Sequence, residues 1–213
     1  MSSRESILKR LRAVEDPALN IPDIPDPVRV VPMADTSPAA LREAFSKTAA
    51  RVGVTLWSCA GDASALEQVL ALIGDDKQII AWDAEHIPLE GLAEALDQRG
   101  ITRADVRDSS VRVGLTGVEA ALAGTGSLVV SSGPGKPRSA SLLPPVHIAV
   151  VRTEQIMPDV EAWFAQMADA GLSHFRQSAN HVFITGGSRT ADIAQELILG
   201  AHGPVEVHVV LVG

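Results

Sequence analysis

The chain has 213 residues, 46% of them hydrophobic and 21% charged, with a net charge of −8. These proportions exclude an intrinsically disordered polypeptide, and the acidic balance excludes a general nucleic-acid surface, which needs a basic face to neutralise phosphates. One cysteine, Cys59, excludes an intrachain disulfide and leaves too few thiolates for an iron–sulfur cluster held by this chain alone, which normally takes about four.

Residues Ser3 to Val14 place Ile7, Leu8, Leu11 and Val14 at helical spacing, so a short amphipathic helix is expected. This stretch lacks the long apolar core of a secretory signal. No segment has the roughly eighteen apolar residues that span a bilayer. A soluble, cytoplasmic protein with no membrane partner is therefore expected. Pro17, Pro22, Pro25, Pro27 and Pro32 follow, and such a run is neither helix nor central strand. Residues 1–33 are expected to form an arm that docks on the domain or on another subunit, which leaves a homo-oligomer open. A loosely ordered tail is the plain alternative.

From residue 34 to 213 the pattern alternates. Ser37 caps and Pro38 opens a helix through Val52. A strand is expected at 53–58, then a helix over 62–74 that ends in Gly74. Strand 77–82, helix 88–100 and strand 111–116 come next. "GVEAALAG" (117–124) reads as a short helix, "SLVVSS" (127–132) as a strand and "GPGKPRSASLLPP" (133–145) as a long loop. Strand 146–151 and helix 157–171 lead to strand 181–185, helix 190–201 and strand 205–212. Alternating strands and helices predict an α/β fold with a largely parallel sheet covered by helices on both faces. The core must be built from Val, Ile, Leu and Ala, because there are only three Trp, four Phe and no Tyr. Cys59 follows an apolar run and reads as a core thiol.

In such sheets, ligands bind beyond the C-terminal ends of the strands. Three segments of unusual composition are expected there. The first carries Thr116, Gly117, Glu119, Thr125 and Gly126: glycines allow close backbone approach, and Thr hydroxyls with free amides hold oxyanions. Glycine turns and Thr caps account for it equally simply. The second carries Lys136 and Arg138 among Ser131, Ser132, Ser139 and Ser141. Two cations and several hydroxyls suit a carboxylate or phosphate, although loop cations are ordinarily just solvated. Pro144 and Pro145 stiffen its exit, and one of those peptide bonds is a candidate for the cis form. The third is "TGGSRTAD", with Gly186, Gly187, Ser188, Arg189, Thr190 and Asp192. If Ser188–Thr190 opens a helix, its amides and dipole favour an anion and Arg189 adds a bidentate contact. An Arg189–Asp192 pair on a self-capped helix is the plain alternative. His202, in "GAHGP", is either a pocket residue or a turn residue. His147 opens an apolar strand and reads as a structural histidine. The six histidines show no metal-ligand spacing, and no G-x-S-x-G elbow is present, so neither a metal nor a cofactor is expected.

Taken together, "GLTGVEAALAGTGSLVV", "RSASLLPPVHIAVV" and "TGGSRTADIAQELILGAHGP" resemble the motif series of the LUD-domain family, of the lactate-utilisation protein C type. The resemblance runs from about Gly114 to Gly213. It implies a fold like that of ribose-phosphate isomerases, sugar-phosphate deaminases and CoA transferases. It also implies a part in oxidising L-lactate to pyruvate beside iron–sulfur partner proteins. Three positions depart from the family's usual wording. Gly124 and Ala194 stand where it commonly has acids, and Gly187 stands where it has Pro. Acid–base catalysis through those two carboxylates is therefore not available to this chain, while Glu119, Asp192 and Glu196 remain. The resulting expectation is an accessory component of an L-lactate utilisation system that binds a small anion, carboxylate or phosphate, or docks a partner. A free-standing enzyme on a sugar phosphate or CoA thioester, and a non-catalytic module using the N-terminal arm, stay open.

Overall fold

The structure is a computed structural model, and it describes residues 3–12, 33–191 and 197–213. Helix α1 (Ser3–Arg12) belongs to a unit of its own. It exposes Ile7 and carries Glu5 in its first turn. The proline-rich stretch after it, with Pro17 to Pro32, lies outside the described residues.

The second unit starts with helix α2 (Pro38–Arg51). Ser37 Oγ accepts from the Ala40 amide at 3.4 Å, and Pro38 occupies the first turn, where no amide donor is needed. Leu41, Phe45 and Ala49 recur every four residues and are buried. Strand β1 (Val54–Cys59) leads to helix α3 (Asp62–Ile73), which buries Ala65, Val69 and Ile73 by the same spacing and ends at Gly74 with φ 68°. Strand β2 (Gln78–Ala81), helix α4 (Leu92–Gln98) and strands β3 (Thr102–Arg103) and β4 (Val113–Thr116) follow. Then come β5 (Ala120–Leu122), β6 (Ser127–Ser132), β7 (Val146–Arg152) and β8 (Ile156–Met157). Helices α5 (Val160–Asp169) and α6 (Ser173–Gln177) precede β9 (Asn180–Ile184), β10 (Arg189–Ala191), β11 (Leu197–Leu199) and β12 (Glu206–Val212).

Six strands form one sheet in the order β1-β12-β7-β4-β2-β3, and every pairing in it is parallel. Its central strands are apolar on both faces, as an all-parallel sheet flanked by helices requires. A four-stranded sheet, β8-β5-β6-β9, contributes side chains to the same core. Ala121, Leu128 and Val130 face the main core, while Ala120, Leu122 and Val129 face a smaller cluster around Trp163. No described helix is long and apolar enough to cross a membrane.

Two expected helices are strands instead. "GVEAALAG" has strong helix formers, yet 120–122 pair antiparallel with β6 and parallel with β8. The period-two burial between two cores outweighs alanine's helix propensity, worth only a few tenths of a kcal/mol per residue. The helix expected from Thr190 is replaced by an antiparallel ribbon, with Arg189 opposite Leu199 and Thr190 opposite Ile198. A helix here would use the Ser188 carbonyl for the amide four residues on. That carbonyl instead accepts from the Gly200 amide at 2.9 Å, which sets 188 and 200 opposite one another. The Pro144–Pro145 region contains no cis bond, since all described peptide bonds are trans. Cys59 is buried, and burial pushes its thiol up.

Candidate functional site

The three segments do not meet at one edge of the sheet. Thr116 ends β4, so Thr116, Gly117 and Glu119 stand at the C-terminal ends of the strands, as expected. The third segment lies at the opposite end. A Cβ on Gly186 would overlap the carbonyl oxygen of Val52, two residues before β1. One on Gly187 would overlap the carbonyl oxygen of Val205, just before β12. The Ser188 amide donates to Pro204 O at 2.7 Å. The expectation of a single pocket at the C-terminal edge is corrected: the ribbon replaces the helix and carries Gly186 to Thr190 to the N-terminal edge.

The loop 133–145 connects the two ends. Near its start, the Asp83 amide, just past β2, donates to Gly135 O at 2.7 Å. Its middle covers β4, where Gly114 has no room for a Cβ beneath Ala140. Its end is fastened by the Val146 amide to Arg112 O at 3.1 Å. Lys136 thus falls at the C-terminal end and Arg138 further along.

At the C-terminal end, Lys136 Nζ lies 2.7 Å from Glu119 Oε1, with side chains only 16% and 17% exposed. Ser131 Oγ donates to the same carboxylate oxygen, and Lys136 Nζ reaches Ser131 Oγ at 3.3 Å. The ammonium also sits 5.1 Å from the centroid of Trp82, a cation–π contact. Lys136 is therefore held by a protein carboxylate and not presented to an anion, which corrects its expected role. Gly117 serves packing: a Cβ there would come to 2.5 Å from His86 O. Thr116 is fully buried, and its Oγ1 bonds His147 Nε2 at 2.9 Å. His147 is structural, as expected, but only half satisfied, because Nδ1 has no partner among the described residues. Burial, with a smaller effect from the charge of His208, lowers its pKa to about 4, so the ring is neutral.

At the N-terminal end, a cleft of about 310 Å³ is lined by Arg138 and Ser141 from the loop, Thr185 to Gly186, Ser188 and Arg189 from the third segment, and His202. Leu142 and Phe183 form apolar walls. Ser188 Oγ accepts from the His202 amide at 3.2 Å, which holds the two sides of the ribbon's base together. Arg189 Nη2 lies 3.5 Å from Val52 O, at the C-terminal end of α2. Thr125 reaches this wall indirectly. Thr125 Oγ1 bonds Ser127 Oγ at 2.8 Å, and Ser127 Oγ bonds Thr185 Oγ1 at 2.7 Å. Gly126, with φ 71°, lets that turn lie against α2, where a Cβ would come to 2.5 Å from the Ala49 amide nitrogen. Among the described residues lining the cleft there are two arginines, three hydroxyl side chains and no carboxylate. Asp192 and Glu196 lie outside the described residues, and so does the Arg189–Asp192 alternative.

The structure thus brings Arg138, Gly186, Ser188, Arg189 and His202 around one cleft, with Thr125 linked to its wall. It gathers Thr116, Gly117, Glu119 and Lys136 elsewhere. Gly187 sets the backbone path, and Thr190 takes part through its strand pairing with Ile198. Ser141 was legible as a loop serine, whereas the linking hydroxyl of Ser127 and the wall residue Phe183 carried no signal beyond ordinary strand residues.

Residues 36–212 match the LUD domain family. The chain is 30% identical to lactate utilization protein C of Exiguobacterium sp. over 81% of its own length and 77% of that protein's. It is 31% identical to lactate utilization protein C of Shouchella clausii over 70% of this chain and 68% of the relative. A crystal structure of a DUF162 family protein from Deinococcus radiodurans superposes with a TM-score of 0.63 at 21% identity, covering 84% of this chain and 100% of that one. That likeness supports the fold.

Proposed function

Because this chain belongs to the LUD-domain family, we propose that it is an accessory component of L-lactate utilisation that holds a small anion, carboxylate or phosphate, in the cleft between Arg138 and Arg189. Relatives named lactate utilization protein C support the process. The observation that carries the ligand class is the cleft itself: two guanidiniums, the hydroxyls of Ser141, Thr185 and Ser188, and His202 around about 310 Å³. Arginine's planar fork matches carboxylate and phosphate oxygens in pairs. A mostly preformed pocket with a few convergent polar groups is the usual form of a small-molecule site.

Binding is favoured over turnover. The described lining offers no carboxylate to act as general acid or base, and Gly124 and Ala194 replace acids of the family's usual wording. With one cysteine, the chain leaves iron–sulfur chemistry to partner proteins. The test is genetic and direct. Deleting the gene should impair growth on L-lactate, and the wild-type chain should restore it while an Arg138→Gln/Arg189→Gln chain should not. Normal growth of the deletion strain on L-lactate would contradict the process, and full rescue by the double variant would contradict the cleft.

A further inference from the structure

We propose that the C-terminal ends of β2 and β3 form a second small-molecule site, suited to a compound with an apolar body and an anionic or carbonyl acceptor group. Two cavities adjoin there. One, of about 440 Å³, is bounded by Asp83, Arg103 and the glycines 133 and 135 of the long loop. The other, of about 320 Å³, lies between the sheet and α4, with Trp82, Ile87, Leu92, Leu96 and Leu115 among its walls. Ala81 and Arg103 line both, so Arg103 stands where a polar chamber meets an apolar one.

Each chamber is walled by a residue with an unused hydrogen-bond donor. Trp82 is 2% exposed, and its Nε1 has no hydrogen-bond partner among the described residues. A buried indole N–H normally finds an acceptor, and leaving it unpaired is costly. Arg103 pairs with Asp83, but its side chain remains 56% exposed. One carboxylate uses only some of the five donors of a guanidinium, which leaves others for an acceptor in the polar chamber. Gly135 keeps the chamber wall thin. A Cβ there would come to 2.8 Å from the His86 ring and 2.9 Å from Asp83 Oδ2. Open parallel sheets place ligands beyond the C-terminal ends of their strands. This site therefore sits where the topology favours one, at the end of the sheet opposite the Arg138–Arg189 cleft.

The probe is 8-anilinonaphthalene-1-sulfonate, an aromatic body with one sulfonate, titrated into the full chain and read by its fluorescence. Arg103→Gln removes the polar anchor, and Ala93→Trp, on the exposed side of α4 at the mouth of the apolar chamber, fills it. Saturable binding by the wild-type chain is expected, weakened about tenfold by Arg103→Gln, as loss of one charge-assisted hydrogen bond would do, and abolished by Ala93→Trp. Lys47→Gln, which removes a charge from the exposed face of α2, should leave it unchanged. Absence of binding, or equal binding by Arg103→Gln and Ala93→Trp, overturns the proposal. So does binding that falls only when exposed Phe183 is changed to Ser, since the probe would then sit against Phe183, in the Arg138–Arg189 cleft or on the aromatic surface around Trp163.

Discussion

The Arg189 guanidinium reaches the carbonyl oxygen of Val52, with Nη2 3.5 Å from it. Val52 is the C-cap of α2, so the cation lies where the helix's unpaired carbonyls concentrate negative potential. It passes over Gly53, whose φ of 82° and missing Cβ leave the space it occupies. Gly53→Ala should therefore act twice. The left-handed backbone costs about 1 kcal/mol for a residue with a Cβ, and the new methyl pushes the flexible arginine off its support. A modest fall in melting temperature with a clear loss of anion affinity is expected. A loss of stability with unchanged affinity would show that this seat does not position Arg189.

The pair Glu119–Lys136 joins the first and second segments at the other end of the sheet, at 2.7 Å and largely shielded from water. Removing one partner leaves a poorly solvated charge behind. Lys136→Met should destabilise the protein by about 3 kcal/mol, while Glu119→Gln/Lys136→Met should recover most of that loss. Urea unfolding of the two single variants and the double variant measures the coupling. Additive losses would show that solvent already satisfies both charges.

His147 makes stability depend on pH. Its pKa is lowered from an ordinary 6.5 to about 4 in the folded chain, first by burial and then by His208. Between those values the unfolded chain binds the additional proton, so stability falls as pH is lowered through that window and levels off below it. A gap of this size corresponds to about 3 kcal/mol. The difference in urea midpoint between pH 7 and pH 4.5 should shrink in His147→Gln relative to wild type. An identical slope in the variant would assign acid sensitivity to the carboxylates.

Five of the six strands of the parallel sheet were legible in the sequence because they are apolar and punctuated by helices whose caps, Ser37 and Gly74, follow local rules; the sixth, β3, is two exposed residues, Thr102 and Arg103. The second sheet was not. Its β5 is written in alanines, and what makes it a strand is the pairing of Ala120 with Val129 across a tight turn and of Ala121 with Ile156 much further along the chain. The same holds for Arg189–Ala191, where the Ser188 carbonyl's bond to Gly200 decides between helix and ribbon. That choice moved the third segment to the other end of the sheet. Residue types therefore singled out Arg138, Ser188, Arg189 and His202, while only the tertiary pairings gather them around one cleft and separate them from Glu119 and Lys136. Local spacing also cannot show that a cation such as Lys136 is already taken by a carboxylate.

Anion binding at the cleft is tested most directly by isothermal titration of the full chain with L-lactate, pyruvate and inorganic phosphate, beside Arg138→Gln and Arg189→Gln. At least one of these anions should bind the wild-type chain saturably, and each substitution should weaken it by about tenfold or more, the loss expected for a charge-assisted hydrogen bond. Failure of all three anions to bind, or equal binding by wild type and both variants, would contradict the account.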